Sequence, residues 1–176
     1  KMLKKLLAVV LTGAMALTLF TACGSNAVRD KDIADALNNI VKLNDSEVTF
    51  TPRAKEREMA QKVAALLESH SEDDSNSAEL SAKIQGILGI DQGGVNENNF
   101  VWVQNALTDK LGAEGQAFQV MESLTDKGGA YNFSSLGSKE PADTRYMGTA
   151  LCKIPDQKDN LVTVRVIVVT AKAEDE

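Results

Sequence analysis

The stretch VTFTPRAKEREMAQKVAALLESHS, Val48 to Ser71, holds a short strand, a helix and the chain's single histidine, and the rest of the sequence is read outward from it. Val48 and Phe50 alternate with Thr49 and Thr51, the period of a strand with one buried face. Thr51-Pro52 then reads as an N-cap followed by proline at the first helical position, where a missing N–H has no consequence. Met59, Val63, Leu66 and Leu67 recur at the spacing of one helical face, with Lys55, Glu56, Arg57, Glu58, Gln61 and Lys62 mostly away from it. His70 falls in the last turn.

Upstream, Gly24 to Arg29 is a polar tether, and Asp30 or Asp32 is expected to cap a helix through about Leu43 whose apolar face is Ile33, Ala36, Leu37, Ile40 and Val41. Downstream, SEDDSNS reads as an exposed acidic loop; it lacks the glycine and distal glutamate of a calcium-binding EF-hand. Asn76 with Glu79 makes a capping-box-like start to a helix over Ala78 to Leu88 that buries Leu80, Ile84, Ile87 and Leu88. After the loop DQGGVNENN, Phe100 to Val103 is a short apolar strand or the start of a helix, and Phe100 and Trp102 fit the core better than a cleft wall. A helix from Ala113 to about Thr125 is expected to bury Phe118, Met121 and Leu124 and to stop at Gly128-Gly129.

The C-terminal third has two β-rich runs, Tyr146 to Ile154 and Leu161 to Lys172, around the polar loop PDQKDN, which together read as a hairpin. Val162, Val164, Val166 and Val168 share one face of the last strand, while Ile167 and Val169 occupy the other, so helices must cover both faces. The expected fold is therefore α/β (α+β): a three-layer α-β-α sandwich with a mainly antiparallel sheet and a C-terminal hairpin.

With 176 residues, 43% of them hydrophobic, the chain can bury a core of its own. Lys1, Lys4 and Lys5 are the only charges through Ala22, so all 25 acidic residues lie beyond it. No basic cluster suited to phosphate appears, which argues against nucleic acid as a partner. Cys23 and Cys152 are too few for a disulfide framework. A basic start, an apolar run from Leu6 to Ala22 and small residues before Cys23 read as a signal peptide. The chain thus divides into a signal peptide over 1–22, a lipidated tether over 23–29, a folded domain over 30–172 and an acidic tail over 173–176. Leu19-Phe20-Thr21-Ala22-Cys23 resembles the lipobox of bacterial lipoproteins, with Phe20 for the usual leucine. That resemblance implies a diacylglyceryl group on Cys23, and two acyl chains exceed the threshold for stable membrane attachment. An uncut membrane span and an ordinary secretory signal remain the alternatives.

In order, an opening helix with Asn38 and Asn39, the strand VTFTP, the helix AKEREMAQKVAALLESHS, the segment Asn96-Glu97-Asn98, the helix GAEGQAFQVMESL, GGAYNF and the closing hairpin resemble the CAP superfamily (cysteine-rich secretory proteins, antigen 5 and pathogenesis-related proteins), over roughly Asp30 to Lys172. The resemblance implies a cleft lined by His70, Glu97, Asn98, Glu122 and Asn132. Members with a full metal site present two histidines and two carboxylates. Here His70 matches the first histidine and Glu97 the Glu-Asn glutamate, Glu122 lies near the second carboxylate, and Gly129 stands where the second histidine belongs. Val120 replaces an expected tryptophan.

Zinc requires three or four ligands, more than this set readily supplies. Ser69 and Ser71 adjoin His70 but do not make a triad, and Cys152 within an apolar strand reads as an inert thiol. No cofactor is expected. The sequence points to a lipid-anchored extracytoplasmic protein whose CAP-like domain binds a lipid, glycan or protein without catalysis. Two alternatives stand beside it: a metal-assisted hydrolase of peptide or cell-wall material built on His70 and Glu97, and an unrelated accessory lipoprotein of a transport or secretion system.

Overall fold

A computed structural model describes residues 28–69, 77–90, 98–108, 111–156 and 158–175. The leader with Cys23, His70 with the acidic run as far as Asn76, and the loop from Asp91 to Glu97 lie outside these residues.

The first helix, α1 (Asp30–Leu43), starts one residue differently from expectation: Arg29 is the N-cap. The Asp32 carboxylate reaches back to accept from the Arg29 backbone N–H at 2.7 Å and from its guanidinium at 3.1 Å. Asp30 is left free to turn inward. The strand β1 (Thr49–Pro52) includes the proline expected to open the next helix. An edge strand tolerates proline at its end, and the ladder continues as the Arg53 N–H donates to the Met147 carbonyl at 2.8 Å. Helix α2 (Ala54–Ser69) follows. Its buried face runs through Glu56, Ala60, Val63, Ala64 and Leu67, so Glu56 faces inward, contrary to its expected place.

Helix α3 (Ser77–Ile87) ends at Gly89, whose φ of +71° is open to glycine without strain. Ile90 N–H donates to the Gln85 carbonyl and Gly89 N–H to the Gly86 carbonyl, the two bonds of a Schellman motif. Strand β2 (Asn99–Leu107) is longer than its four-residue signal, and helix α4 (Ala113–Thr125) has the expected bounds. Phe118 does not join the core: it is 74% exposed, because the face of α4 that packs inward carries Gln116, Ala117, Val120 and Leu124. Two single 3-10 turns, Lys127–Gly129 and Phe133–Ser135, lead to β3 (Glu140–Pro155) and β4 (Leu161–Glu174). Both strands exceed the expected hairpin, and Ala173 and Glu174 of the expected tail pair with Pro141 and Glu140.

The four strands form one mixed sheet in the order β1-β3-β4-β2. β1 runs parallel to β3, and the β3–β4 and β4–β2 pairs are antiparallel. Alternation along β4 divides the core in two. Ile167, Val169 and Ala171 join Phe100, Trp102 and Met147 beneath α1 and α4. Val164, Val166 and Val168 join Val101, Val103 and Ile154 beneath α2 and α3. Each such large side chain taken fully out of water contributes about 1.5–3 kcal/mol. Helices on both faces explain why β4 is apolar on both sides through its middle.

Candidate functional site at the two ends of the sheet

Gly148 of β3 sets where α2 begins. A Cβ added there would sit 1.9 Å from the Arg57 nitrogen, so only glycine lets the first turn of α2 rest on the strand. That close approach carries Arg57 past the end of β1 to Asp30 at the start of α1, with Nε 2.7 Å from Oδ2. The other oxygen of Asp30 accepts from Thr149 Oγ1 at 2.7 Å. Thr149 Oγ1 in turn accepts from Arg165 Nη1 at 2.8 Å. Arg165 also donates to Gln116 Oε1 at 2.8 Å and to the Val28 carbonyl at 3.0 Å. Burial lowers the pKa of Arg165, against the pull of Asp30 and Asp32, yet the guanidinium keeps a matched acceptor for Nε, Nη1 and Nη2. This seam ties α1, α2, α4 and two strands together through one ion pair and a chain of hydrogen bonds.

Glu56 forms a second closed unit. Its side chain is fully buried, Arg53 grips both carboxylate oxygens, and Thr170 Oγ1 donates at 2.7 Å. Burial pushes the Glu56 pKa up, but the bonds from Arg53 and Thr170 outweigh it and leave the carboxyl below its usual value. Arg53 also stacks 3.9 Å from the Tyr146 ring. These groups answer one another, and with the Glu56 carboxylate fully buried they hold the fold rather than face a substrate.

The opposite end of the sheet carries three of the expected cleft residues. Asn132 is buried and bonds the free edge of β2: its Oδ1 accepts from Val101 N–H at 3.1 Å and its Nδ2 donates to the Asn99 carbonyl at 2.9 Å. It is a structural clamp whose amide is already spent on backbone. Asn98 is exposed, and its carbonyl accepts from Ala173 N–H at 2.8 Å. Glu122 is exposed on α4. Gly129 lies hard against that helix, for a Cβ would come within 2.2 Å of the Ser123 carbonyl oxygen. No side chain, histidine included, enters there without moving backbone.

His70 and Glu97 lie outside the described residues, but their chain neighbours are fixed. Glu68 Oε1 accepts from Lys153 N–H at 2.8 Å, in the row of Thr163, whereas Asn98 is tied to Ala173, ten residues further along β4. At about 3.3 Å per residue, those rows stand roughly 33 Å apart. Among the described residues, no group of three His, Cys, Asp or Glu side chains is arranged to hold a metal.

Arg145 is the exception among these charges. It is buried on the same face as Arg165, at the end near Asn98, with its guanidinium 4.5 Å over the Trp102 ring. Nε and Nη1 have no hydrogen-bond partner among the described residues. Burial pulls its pKa down to about 10, with Asp143 opposing. Trp102 is itself core, its indole N–H donating to the Asp126 carbonyl at 3.1 Å. Cys152 is buried, and burial first, then the charge of Glu68, pushes its thiol up to about 12, so it carries no thiolate for attack.

The described residues form a mixed α/β domain of four helices and a four-stranded sheet, stiffened by a buried polar seam. Compared with family models, with curated proteins and with solved structures, the chain finds no match in any of the three. Among the described residues, no helix is long and apolar enough to cross a membrane.

Proposed function

We propose that the chain is an extracytoplasmic lipoprotein, held in a membrane by a diacylglyceryl group on Cys23, whose CAP-like domain binds a lipid, glycan or envelope or host protein and catalyses nothing. The lipobox-like residues Leu19 to Cys23 support the anchor. The CAP-like reading is supported by the helix with Asn38 and Asn39, VTFTP, AKEREMAQKVAALLES, GAEGQAFQVMESL and the closing hairpin, which fall on α1, β1, α2, α4 and β3–β4 in that order.

The observation that carries the non-catalytic half is Gly129. Its closure against the Ser123 carbonyl denies space to a second histidine, and a zinc site built from the remainder lacks ligands. The roughly 33 Å between the Glu68 and Asn98 attachment rows on β4 counts against any cleft shared by His70 and Glu97, and so against the hydrolase and against a CAP-like ligand site at those two residues alike. Cell fractionation tests the anchor. The native chain is expected in the membrane fraction and Cys23→Ser in the soluble one; a Cys23→Ser chain that still needs detergent for release would contradict lipid attachment.

A further inference from the structure

Six large apolar side chains stand exposed among the described residues: Leu43, Leu107, Phe118, Leu151, Leu161 and Phe133. Their distribution is uneven. Leu151 and Leu161, 43% and 53% exposed, lie near the tip of the β3–β4 hairpin, where Leu151 pairs with Arg165 and Leu161 with Pro155. Leu107 ends β2 beside Val164 at this same end, and its N–H donates to Gln119 of α4, next in sequence to Phe118. Leu43, at the far end of α1, and Phe133, next to the Asn132 clamp, belong to the other end.

The chain also leaves the domain at the hairpin end. The Val28 carbonyl is held by Arg165, one strand from Leu151. Four residues lie between Cys23 and Val28, and even fully extended the five steps span no more than about 18 Å. A lipid on Cys23 therefore keeps this end of the sheet beside the bilayer, with the exposed leucines on it.

We propose that the hairpin end of the domain, through Leu107, Leu151 and Leu161, rests in the headgroup layer of the membrane that holds the Cys23 lipid. This rests on the lipid-anchor reading. The contact is apolar in kind: the hairpin loop mixes Asp156, Lys158 and Asp159, with no basic cluster to seek anionic headgroups. The opposite end, with Asn98, Arg145 and Phe133, faces away from the bilayer and toward whatever partner the domain meets.

The test uses the full lipidated chain reconstituted in phosphatidylethanolamine–phosphatidylglycerol vesicles. In a Cys152→Ala background, with the Cys23 thiol consumed by its lipid, single variants Leu161→Cys, Leu151→Cys and Leu43→Cys carry an environment-sensitive fluorophore. The labels at 161 and 151 are expected to shift to the blue and to lose most of their emission to nitroxide-labelled phospholipid, at low and high salt alike. The label at 43 is expected to do neither. A chain that floats with the vesicles while both hairpin labels report water overturns the inference and leaves the anchor standing. A blue shift without nitroxide quenching means that protein covers the leucines, which also overturns it. A chain that does not float with the vesicles defeats the anchor reading, and this inference with it.

Discussion

Arg165 and Arg145 are buried on the same face of the same sheet, at opposite ends, and their surroundings differ in kind. At the hairpin end, Arg165 meets Thr149, Gln116 and the Val28 carbonyl, and the adjoining Asp30 is shared by Thr149 and Arg57. At the other end, Arg145 lies on Trp102 with two guanidinium nitrogens, Nε and Nη1, unmatched among the described residues. A buried charge with full hydrogen bonding becomes part of the scaffold, whereas one held mainly by an aromatic face retains donors for something else. The contrast separates an end that fixes the architecture from an end with chemistry left over.

Three substitutions probe the two ends separately. The largest effect is expected from Gly148→Ala. The new Cβ would overlap the Arg57 backbone, drive α2 off β3 and take Arg57 from Asp30; a loss of more than about 4 kcal/mol is expected in chemical denaturation. Next comes Arg165→Met, which strands the acceptors of Gln116, Thr149 and Val28; about 3 kcal/mol of stability should disappear. Arg145→Met should behave oppositely. It gives up a stacking contact of about 0.5–2 kcal/mol but removes buried donors that lack partners, each a cost of about 1–3 kcal/mol. The expected outcome lies between no change and a gain of about 2 kcal/mol. Equal losses at the two arginines, measured by the same urea titration, would erase the distinction.

Much of the frame was legible in the sequence because its signals were periodic. The alternating valines of β4 predicted cover on both faces, and α4 was bounded by Gly112 and the glycines that follow it. The polar seam was not legible, since charge was read as a mark of solvent. Glu56 falls on the same helical face as Ala60, Val63 and Leu67 by spacing, yet its carboxylate suggested the outside; only Thr170 and Arg53, brought in by the sheet, make its burial tolerable. Arg165 gave a similar hint, sharing its strand face with Ile167 and Val169. Phe118 erred the other way, an apolar residue about 100° round the helix from the Ala117 direction and so turned outward. Of the residues expected to line a cleft, Asn132 acts on backbone and Glu122 faces solvent. No local pattern could reveal that Gly129 is walled by Ser123, because that contact depends on how the turn after α4 folds back.

Calorimetric titration of zinc into the Cys23→Ser chain, alongside versions that also carry His70→Ala or Glu97→Ala, distinguishes a binding domain from a metal-assisted hydrolase. No micromolar binding is expected in any of the three, since three or four ligands are needed for zinc and Gly129 offers no side chain. Micromolar or tighter zinc binding that disappears in both additional variants would place His70 and Glu97 in one metal site and contradict the non-catalytic reading.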